Sequence, residues 1–309
     1  RVYDAAGRTT ALVDARGSRH SFSYDGTGRQ TALIDPLGRI TTSTYDAAGR
    51  QTSRIDARGN RTTYTFEAVD RLAGRWYPDD ARATFVYDAV GNRIVRGDST
   101  GIQTYTYDTL NRVESIASPL GGCMTYAYDA NGQRQGTIDL DGGRVTFAYD
   151  AVGRIAEVVN SQGERTTFSY DAAGRRTLKQ LANGTRASFT YDAAVRLTSL
   201  ANLKSDDSVV SSFDYAHDAV GNRTSVLEAS GDRVTWTYDT TYQLTSEQRS
   251  GGNAYHTTFV YDAVGNRLVK DEDGSLTTYT YDAANQLQTS VDAGGVTTYT
   301  FDVNGNQQI

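Results

Sequence analysis

The sequence has few of the residues and segments that define several common classes of protein. It contains one cysteine, Cys123, which excludes an internal disulfide framework and a cysteine-rich metal site. No run approaches the roughly 18 consecutive apolar residues of a membrane-spanning helix, and no apolar N-terminal stretch is typical of a secretion signal. With a formal net charge of -6, the chain lacks the basic character that is typical of nucleic-acid binders.

Candidate catalytic and metal-binding groups are equally scarce. The three histidines, His20, His217 and His256, are scattered along the chain. No nucleophile elbow, P-loop or dinucleotide fingerprint occurs. The segments Asp139–Gly142 and Asp271–Gly274 are acidic, but they lack the third ligand position and the distal glutamate of a calcium loop. We therefore expect no catalytic residue, no cofactor and no metal site, and the chain is not expected to be an enzyme.

Aromatic residues are abundant in spite of a low overall hydrophobicity. Tyrosine outnumbers phenylalanine 21 to 9, hydrophobic residues make up 38% of the chain, and the mean hydropathy is -0.54. A length of 309 residues would by itself suggest about two globular domains. The composition instead indicates that large amphipathic rings take the place of leucine and isoleucine.

These rings belong to a sequence repeat, and a fixed period overrides a guess from length. A pair formed by an aromatic residue or histidine and an acid recurs fifteen times, with most spacings equal to 21 and a longest step of 26 from Tyr191 to His217. We expect residues 1–309 to form a single continuous array. The pairs are Tyr3-Asp4, Tyr24-Asp25, Tyr45-Asp46, Phe66-Glu67, Tyr87-Asp88, Tyr107-Asp108, Tyr128-Asp129, Tyr149-Asp150, Tyr170-Asp171, Tyr191-Asp192, His217-Asp218, Tyr238-Asp239, Tyr261-Asp262, Tyr281-Asp282 and Phe301-Asp302.

Two sets of turn signals alternate along the array. Most paired acids are followed at the third position by glycine, as in Asp4–Gly7, and we call these the YD turns. A second set lies midway between them, as in Asp14–Gly17 and Asp35–Gly38, and we call these the mid-turns. Aspartate favours the first position of a type I turn, and glycine accepts the left-handed conformation at the fourth. Turn signals every 10 or 11 residues predict an antiparallel β-meander.

The segments between the turns favour strands. Thr62–Phe66 and Thr277–Tyr281 alternate threonine with aromatic residues, and both types favour strands. A second aromatic usually sits two residues before the paired one, so that both rings face one side of the sheet. We predict an all-β fold, an antiparallel array of β-hairpins in which the rings of successive hairpins stack as a continuous stripe. Neighbouring repeats must supply the stability that one repeat lacks.

The unit aromatic-x-Tyr-Asp-x-x-Gly-Arg resembles the YD repeat of the RHS family. Phe168–Arg175 and Phe147–Arg154 carry it in full, and the phased copies cover the whole chain. The family includes bacterial polymorphic toxins, shell-forming components of insecticidal toxin complexes, and teneurin ectodomains. The resemblance implies a long β-sheet that spirals into a hollow shell, which in the toxins encloses a C-terminal effector.

The chain also departs from the toxin pattern. Its one Asp-Pro pair, Asp35-Pro36, lies in an internal turn and not in a cleavage core, and the chain starts inside a repeat. We therefore expect a segment of a longer array. At about 4.8 Å per strand, thirty strands span roughly 140 Å, about one turn around a small cargo. A narrower solenoid with the rings packed inside would instead give a rod, and the sequence leaves both possibilities open.

Residue-level expectations follow from the repetition. Fifteen equivalent pairs contradict a single catalytic site, so we interpret the aromatics as packed rings and the acids as turn starters. The arginine that often follows the turn glycine is expected to pair with a turn acid of an adjacent hairpin. Irregular insertions near 75–80 and 197–214 interrupt the pattern, and Trp76 and Tyr77 in the first are candidates for surface binding, with a ring folded back onto the sheet as the alternative.

Two hypotheses for function come from different classes. The first is a structural section of a secreted or surface-exposed shell that encloses a toxin or another polypeptide. The second is an extended stalk, filament or adhesin that binds glycans or other cells, or self-associates through its repeat ends. Twenty-eight arginines against three lysines suggest a bacterial source. No nucleic-acid partner and no membrane span are expected.

Overall fold

The computed structural model describes residues 1–308, and within these residues every regular element is a β-strand. The strands group into two units, Arg1–Ile102 together with the residues from Thr258 onwards, and Gln103–Thr257. The strands are β1 Val2–Tyr3, β2 Thr9–Val13, β3 Arg19–Tyr24, β4 Gln30–Ile34, β5 Ile40–Tyr45, β6 Gln51–Ile55, β7 Arg61–Phe66, β8 Leu72–Trp76, β9 Arg82–Tyr87, β10 Arg93–Asp98, β11 Gly101–Tyr107, β12 Val113–Ala117, β13 Cys123–Tyr128, β14 Arg134–Ile138, β15 Arg144–Tyr149, β16 Ile155–Val159, β17 Arg165–Tyr170, β18 Arg176–Gln180, β19 Arg186–Tyr191, β20 Leu197–Leu203, β21 Val209–His217, β22 Arg223–Glu228, β23 Arg233–Tyr238, β24 Leu244–Arg249, β25 Tyr255–Tyr261, β26 Arg267–Glu272, β27 Ser275–Tyr281, β28 Leu287–Asp292, β29 Gly295–Thr298, β30 Thr300–Phe301 and β31 Gln307–Gln308.

Within each unit, consecutive strands of the main sheet pair in antiparallel fashion. In the first unit this holds from β1 to β10 and from β26 to β29. In the second it holds from β11 to β24. Strands β1 to β29 belong to a sheet of 29 strands, and β30 and β31 form a separate pair. The predicted antiparallel all-β hairpin array is therefore confirmed.

The repeated turn has the predicted four-residue form. In the YD turn that starts at Asp25, the Gly28 N–H donates to the Asp25 carbonyl at 3.0 Å, and the Asp25 N–H donates to the Arg29 carbonyl at 2.9 Å. Gly28 has φ +88°, in the left-handed region that residues with a Cβ resist. The same pattern closes the mid-turn Asp14–Gly17. The register shifts next to the paired aromatic, between Ser23 and Tyr24.

The sheet buries little apolar surface. Among residues 1–308, the buried hydrophobic side chains are Ala11, Ala83, Val226 and Val234. In β3 the rings Phe22 and Tyr24 are half-buried on one face while Ser23 is exposed on the other. A surface of 18454 Å² compares with the roughly 12,700 Å² expected for a globular protein of this mass. The rings thus pack in a layer one sheet thick, with water near both faces.

The two irregular segments keep hairpin geometry. The extra residues near 197–214 lengthen β20 and β21, which join through an exposed turn that begins at Lys204. In the segment 75–80, Tyr77 takes the first turn position, and Asp80 takes the fourth with φ +62°. An acid can occupy the left-handed region at a modest cost, so this turn forms without glycine.

Candidate functional site

The predicted aromatic–acid pairs lie at strand ends. In all eleven Tyr-Asp pairs between Tyr24-Asp25 and Tyr281-Asp282, the tyrosine is the last strand residue and the acid starts the turn. The set thereby places rings along one face and acids along one row of turns. No group of three or more histidine, cysteine, aspartate or glutamate side chains that could hold a metal ion occurs within residues 1–308.

Each turn acid is held by its own turn. Asp25 Oδ1 accepts hydrogen bonds from the backbone N–H groups of Thr27 at 2.9 Å and Arg29 at 3.0 Å, and Oδ2 accepts one from Arg29 Nε at 2.6 Å. The backbone N–H of Arg29 is the main cause that holds the pKa of Asp25 below its usual range. The pKa values of Asp4, Asp108 and Asp150 are lowered by the same backbone contact.

The arginine of one turn also contacts the next repeat. Arg29 Nη1 donates to the Asp46 carbonyl at 2.7 Å, and the guanidinium carbon lies 5.0 Å from the centroid of the Tyr45 ring. The Tyr45 hydroxyl returns to the Gln30 carbonyl at 2.8 Å. Three interactions, two of them charge-assisted or cation–π, therefore join adjacent repeats through one guanidinium and one ring.

This arrangement recurs along the chain, and we call it the arginine–tyrosine ladder. Its arginine occupies the fifth position after each paired aromatic, which we call the ladder position. The arginine–ring pairs, 4.5 to 5.1 Å apart, are Arg8 with Tyr24, Arg29 with Tyr45, Arg50 with Phe66, Arg71 with Tyr87, Arg112 with Tyr128, Arg154 with Tyr170, and Arg175 with Tyr191.

The ladder bears on two sequence expectations. The predicted stripe of rings includes guanidinium groups, because each ladder ring is covered by an arginine of the preceding repeat. Phe213 and Tyr215, two residues apart on β21, stack directly with ring centroids 6.5 Å apart. The ladder arginines pair with the acid of their own turn and, like Arg29, donate to a backbone carbonyl of the adjacent one, and Arg50 also forms the expected ion pair with an acid of the adjacent turn, Asp70. The fixed five-residue spacing from tyrosine to arginine was the signal that could have revealed the ladder.

In some repeats, asparagine or glutamine takes the ladder position, and the arginine that follows it contacts the second aromatics, which sit two residues before the paired ones. We call these second aromatics the inner rings. Arg223, which follows Asn222, lies 4.5 Å from the Tyr215 ring and 5.8 Å from the Trp236 ring. Arg267 bridges two inner rings in the same way. Trp236 Nε1 donates to Glu247 Oε2 at 2.9 Å, so this tryptophan belongs to the sheet face.

The other candidate residues lie apart from one another. Trp76 lies over Gly74, where a Cβ would come within 2.5 Å of its ring, so this ring is folded onto the sheet. Tyr77 is 38% exposed, and its hydroxyl accepts from Arg75 Nη1 at 3.3 Å. Cys123 is exposed. No helix within residues 1–308 is long and apolar enough to cross a membrane.

A single antiparallel sheet of Tyr-Asp hairpins defines a YD-repeat wall, and this class is structural. The Teneurin YD-shell model matches residues 141–305, and the RHS Repeat model matches residues 3–40 and 45–82. The chain belongs to the Teneurin YD-shell family, with RHS repeats in its first part. None of the curated proteins is a significant match.

Solved structures share the fold at low sequence identity. The crystal structure of TcdB2-TccC3-TEV has a TM-score of 0.79 at 18% identity, over 95% of this chain and 18% of that one. The crystal structure of TcdB2-TccC3-Cdc42 has a TM-score of 0.75 at 16% identity, over 99% and 21%. A Tc holotoxin pore from Photorhabdus luminescens has a TM-score of 0.50 at 18% identity, over 99% and 23%. The chain thus spans about a fifth of the length of these proteins.

Proposed function

We propose that the chain is a non-enzymatic section of a β-shell that encloses another polypeptide. The observation that supports this most directly is the thin construction of the sheet, in which four hydrophobic residues are buried among residues 1–308. A small-molecule site needs a concave pocket with a largely apolar lining, and the sheet instead distributes its rings evenly along one face. Such a sheet is suited to separating two compartments.

Family and fold both support a polypeptide as the enclosed partner. The resemblance to RHS toxins implies an enclosed effector, and the solved structures of similar fold contain TccC3, one of them within a Tc holotoxin pore. We infer that the enclosed partner is a polypeptide, with a toxin as the leading candidate. We propose that the protein acts among secreted or surface-exposed bacterial components.

The ladder connects neighbouring hairpins of the proposed shell. Because each guanidinium holds the carboxylate of its own turn and the carbonyl of the next, neighbouring hairpins are tied at their ends as well as along their backbones. The rings tolerate water at their hydroxyl tips, where tyrosines donate to backbone carbonyls. Such a sheet would protect an enclosed polypeptide by blocking the access of proteases to it.

Protease protection tests this proposal. A reporter polypeptide is fused after residue 309, and in a matched control the same reporter is inserted into the exposed turn after Lys204. We expect digestion of the fused reporter to be several-fold slower than digestion of the inserted one. Equal digestion rates, together with intact YD repeats on the gel, would contradict enclosure.

The alternative function, a stalk or adhesin that binds glycans, remains a second prediction. It relied on an open platform at Trp76 and Tyr77, and of these two rings Trp76 packs over Gly74. Tyr77 alone offers a partly exposed ring there. Saturable glycan binding that is lost on Tyr77→Ala would favour the adhesin over the shell.

A further inference from the structure

Within the first unit, three early mid-turns lie against three late YD turns. The mid-turns begin at Asp14, Asp35 and Asp56, and the YD turns begin at Asp262, Asp282 and Asp302. The contacts join residues that are 244 positions (Arg58 to Asp302) to 269 positions (Arg16 to Asn285) apart in sequence. Three arginines from the mid-turn side make most of them, namely Arg16, Arg39 and Arg58. We call this contact the seam.

The contacts of Arg16 show which groups of the late YD turns a mid-turn arginine binds. Arg16 Nη1 donates to the Asp282 carbonyl at 3.2 Å and to Asn285 Oδ1 at 3.1 Å, and Nη2 donates to the Tyr281 carbonyl at 3.3 Å. Arg16 Nη1 also lies 3.7 Å from Asp262 Oδ2. The guanidinium therefore contacts one turn acid through its carboxylate and the next turn acid through its carbonyl.

A ladder arginine contacts the same two groups from within the array. Arg29 joins the Asp25 carboxylate to the Asp46 carbonyl. Between Asp262 and Asp282 the ladder position holds Asn266, whose short amide donates to Asp262 Oδ2 and to Asn285 Oδ1 of the next turn, both at 2.9 Å, but not to the Asp282 carbonyl. Arg16 contacts the Asp262 carboxylate and the Asp282 carbonyl, the two groups that a ladder arginine would contact there.

The other two seam arginines also contact YD turns without a ladder arginine, although Arg39 bonds the ladder amide and stays 3.7 Å from Asp35 Oδ2 of its own mid-turn. The ladder positions of the next two YD turns hold Gln286 and Asn306. Arg39 Nη2 donates to Gln286 Oε1 at 2.9 Å. Arg58 forms an ion pair with Asp302, whose side chain is only 7% exposed. A carboxylate that is so little hydrated is stabilised by a cation, and Asn306 is neutral.

We propose that Arg16, Arg39 and Arg58 complete the ladder across the seam, so that a row of arginine-bearing mid-turns is the specific partner of a row of YD turns with asparagine or glutamine at the ladder position. A YD turn with its own ladder arginine, such as Asp4 with Arg8, is already paired and presents a second cation to an incoming arginine. The ladder residue thereby selects which turns meet and sets the register of the seam.

This inference goes beyond enclosure and does not depend on any enclosed polypeptide. It predicts that an arginine placed in the late turn competes with the seam. In Asn306→Arg, the new side chain should pair with Asp302, as Arg8 pairs with Asp4, and displace Arg58. Asn222→Arg is the matched control, because Asn222 bonds the acid of its own turn in the same way but lies outside the seam.

The seam can be followed by disulfide formation. Ala57 and Val303 line one cavity at the seam, and Cys123 is the single native cysteine, so Ala57→Cys and Val303→Cys in a Cys123→Ser background report contact. We expect Arg58→Ala and Asn306→Arg each to slow cross-linking roughly tenfold, because a charge-assisted hydrogen bond is lost. Asn222→Arg should leave the rate unchanged.

A second measurement separates the seam from folding. The urea midpoint of Asn306→Arg should not fall, because the new arginine pairs within its own turn. Combining Asn306→Arg with Arg58→Ala should slow cross-linking no further than either change alone. An unchanged rate in Asn306→Arg, or an equal loss in Asn222→Arg, would overturn the proposal and leave the protease-protection result unaffected.

Discussion

At the residue scale, the ladder arginine has a role that a surface arginine lacks. Arg29 pairs with Asp25, reaches the Asp46 carbonyl and covers the Tyr45 ring. A planar guanidinium can do all three at once, and an ammonium group cannot. Arg61, at the exposed start of β7, has no ion pair or side-chain hydrogen bond within residues 1–308, which makes it a useful comparison.

We predict that Arg29→Ala lowers the free energy of unfolding by about 1–3 kcal/mol, because hydrogen bonds to charged groups and a cation–π contact are lost together. Arg61→Ala should change it by less than about 0.5 kcal/mol, as exposed substitutions do. Urea denaturation followed by circular dichroism provides both values. Equal effects of the two substitutions would mean that the ladder adds nothing to stability.

A second residue-scale prediction concerns Val195, which occupies the glycine position of its YD turn with φ +67°. A β-branched side chain in the left-handed region costs roughly 1–2 kcal/mol, and glycine has a higher chain entropy to lose. We expect Val195→Gly to stabilise the chain by about 0.5–1 kcal/mol. Val152→Gly, one position before Gly153 in an equivalent turn, should not stabilise it. Thermal unfolding midpoints of the two variants, compared with that of the parent chain, test this prediction.

The turn acids also predict a pH dependence. The pKa values of Asp25, Asp108 and Asp150 are lowered in the folded chain, chiefly by backbone hydrogen bonds to the residue four places on. The unfolded chain therefore binds protons more readily, so stability is complete above about pH 5 and falls as the pH drops below about 4. Urea midpoints measured from pH 7 to pH 3 should decline in this window, and less steeply in Asp25→Asn. A flat profile would contradict this expectation.

At the element scale, each hairpin depends on its ring more than on its hydroxyl. Phe66 takes the ring position beneath Arg50 at 5.1 Å and does so without a hydroxyl, whereas Tyr45 adds a hydrogen bond to the Gln30 carbonyl. The contact between ring and guanidinium is therefore the constant part of the repeat, and the hydroxyl adds one hydrogen bond where the ring is a tyrosine.

We predict that Tyr45→Phe lowers the free energy of unfolding by about 1 kcal/mol, the net worth of one hydrogen bond. Tyr45→Ala should cost about 3 kcal/mol or more, because the ring leaves Arg29 and the neighbouring strand uncovered. Hydrogen exchange of the β5 and β6 amides should increase in the second variant and stay close to the parent in the first. Similar losses in both variants would show that the hydroxyl, not the ring, holds the hairpin.

At the scale of the whole molecule, the sequence predicts the fold well because the period is a direct consequence of the hairpin. Strand alternation and the Asp-x-x-Gly turns are local, and the structure follows them from β2 to β29. The ladder involves groups 16 or 17 residues apart, so its partner could not be read from either turn alone. The seam joins Arg58 to Asp302 across most of the chain, and because asparagine also occupies ladder positions outside the seam, such as Asn92 and Asn222, the ladder residue alone does not identify that pairing in the sequence.

The repeat length predicts that the chain tolerates the deletion of one whole repeat, which keeps the strand order and the YD turns in register. Deleting Ala151–Asp171 removes 21 residues and joins Asp150 to Ala172, which restores a YD turn followed by Gly174 and Arg175. Since each repeat contacts mainly its neighbours, the shortened chain should fold cooperatively, with an unfolding enthalpy smaller by about 15 kcal/mol. Scanning calorimetry measures this difference.

An out-of-phase deletion is the control. Removing Asp150–Val159 keeps the mid-turn that begins at Asn160 but eliminates β16, so every later strand must run in the opposite direction. The later YD turns then lie at the other edge of the sheet, so the ladder is interrupted at the junction and the arginines of the seam no longer meet the late YD turns. We expect this variant to melt at least about 10 °C lower or to aggregate, since several kcal/mol of inter-repeat contacts are lost. If both deletions melt alike, the repeats are held by backbone pairing alone, and the arginine–tyrosine ladder does not set their phase.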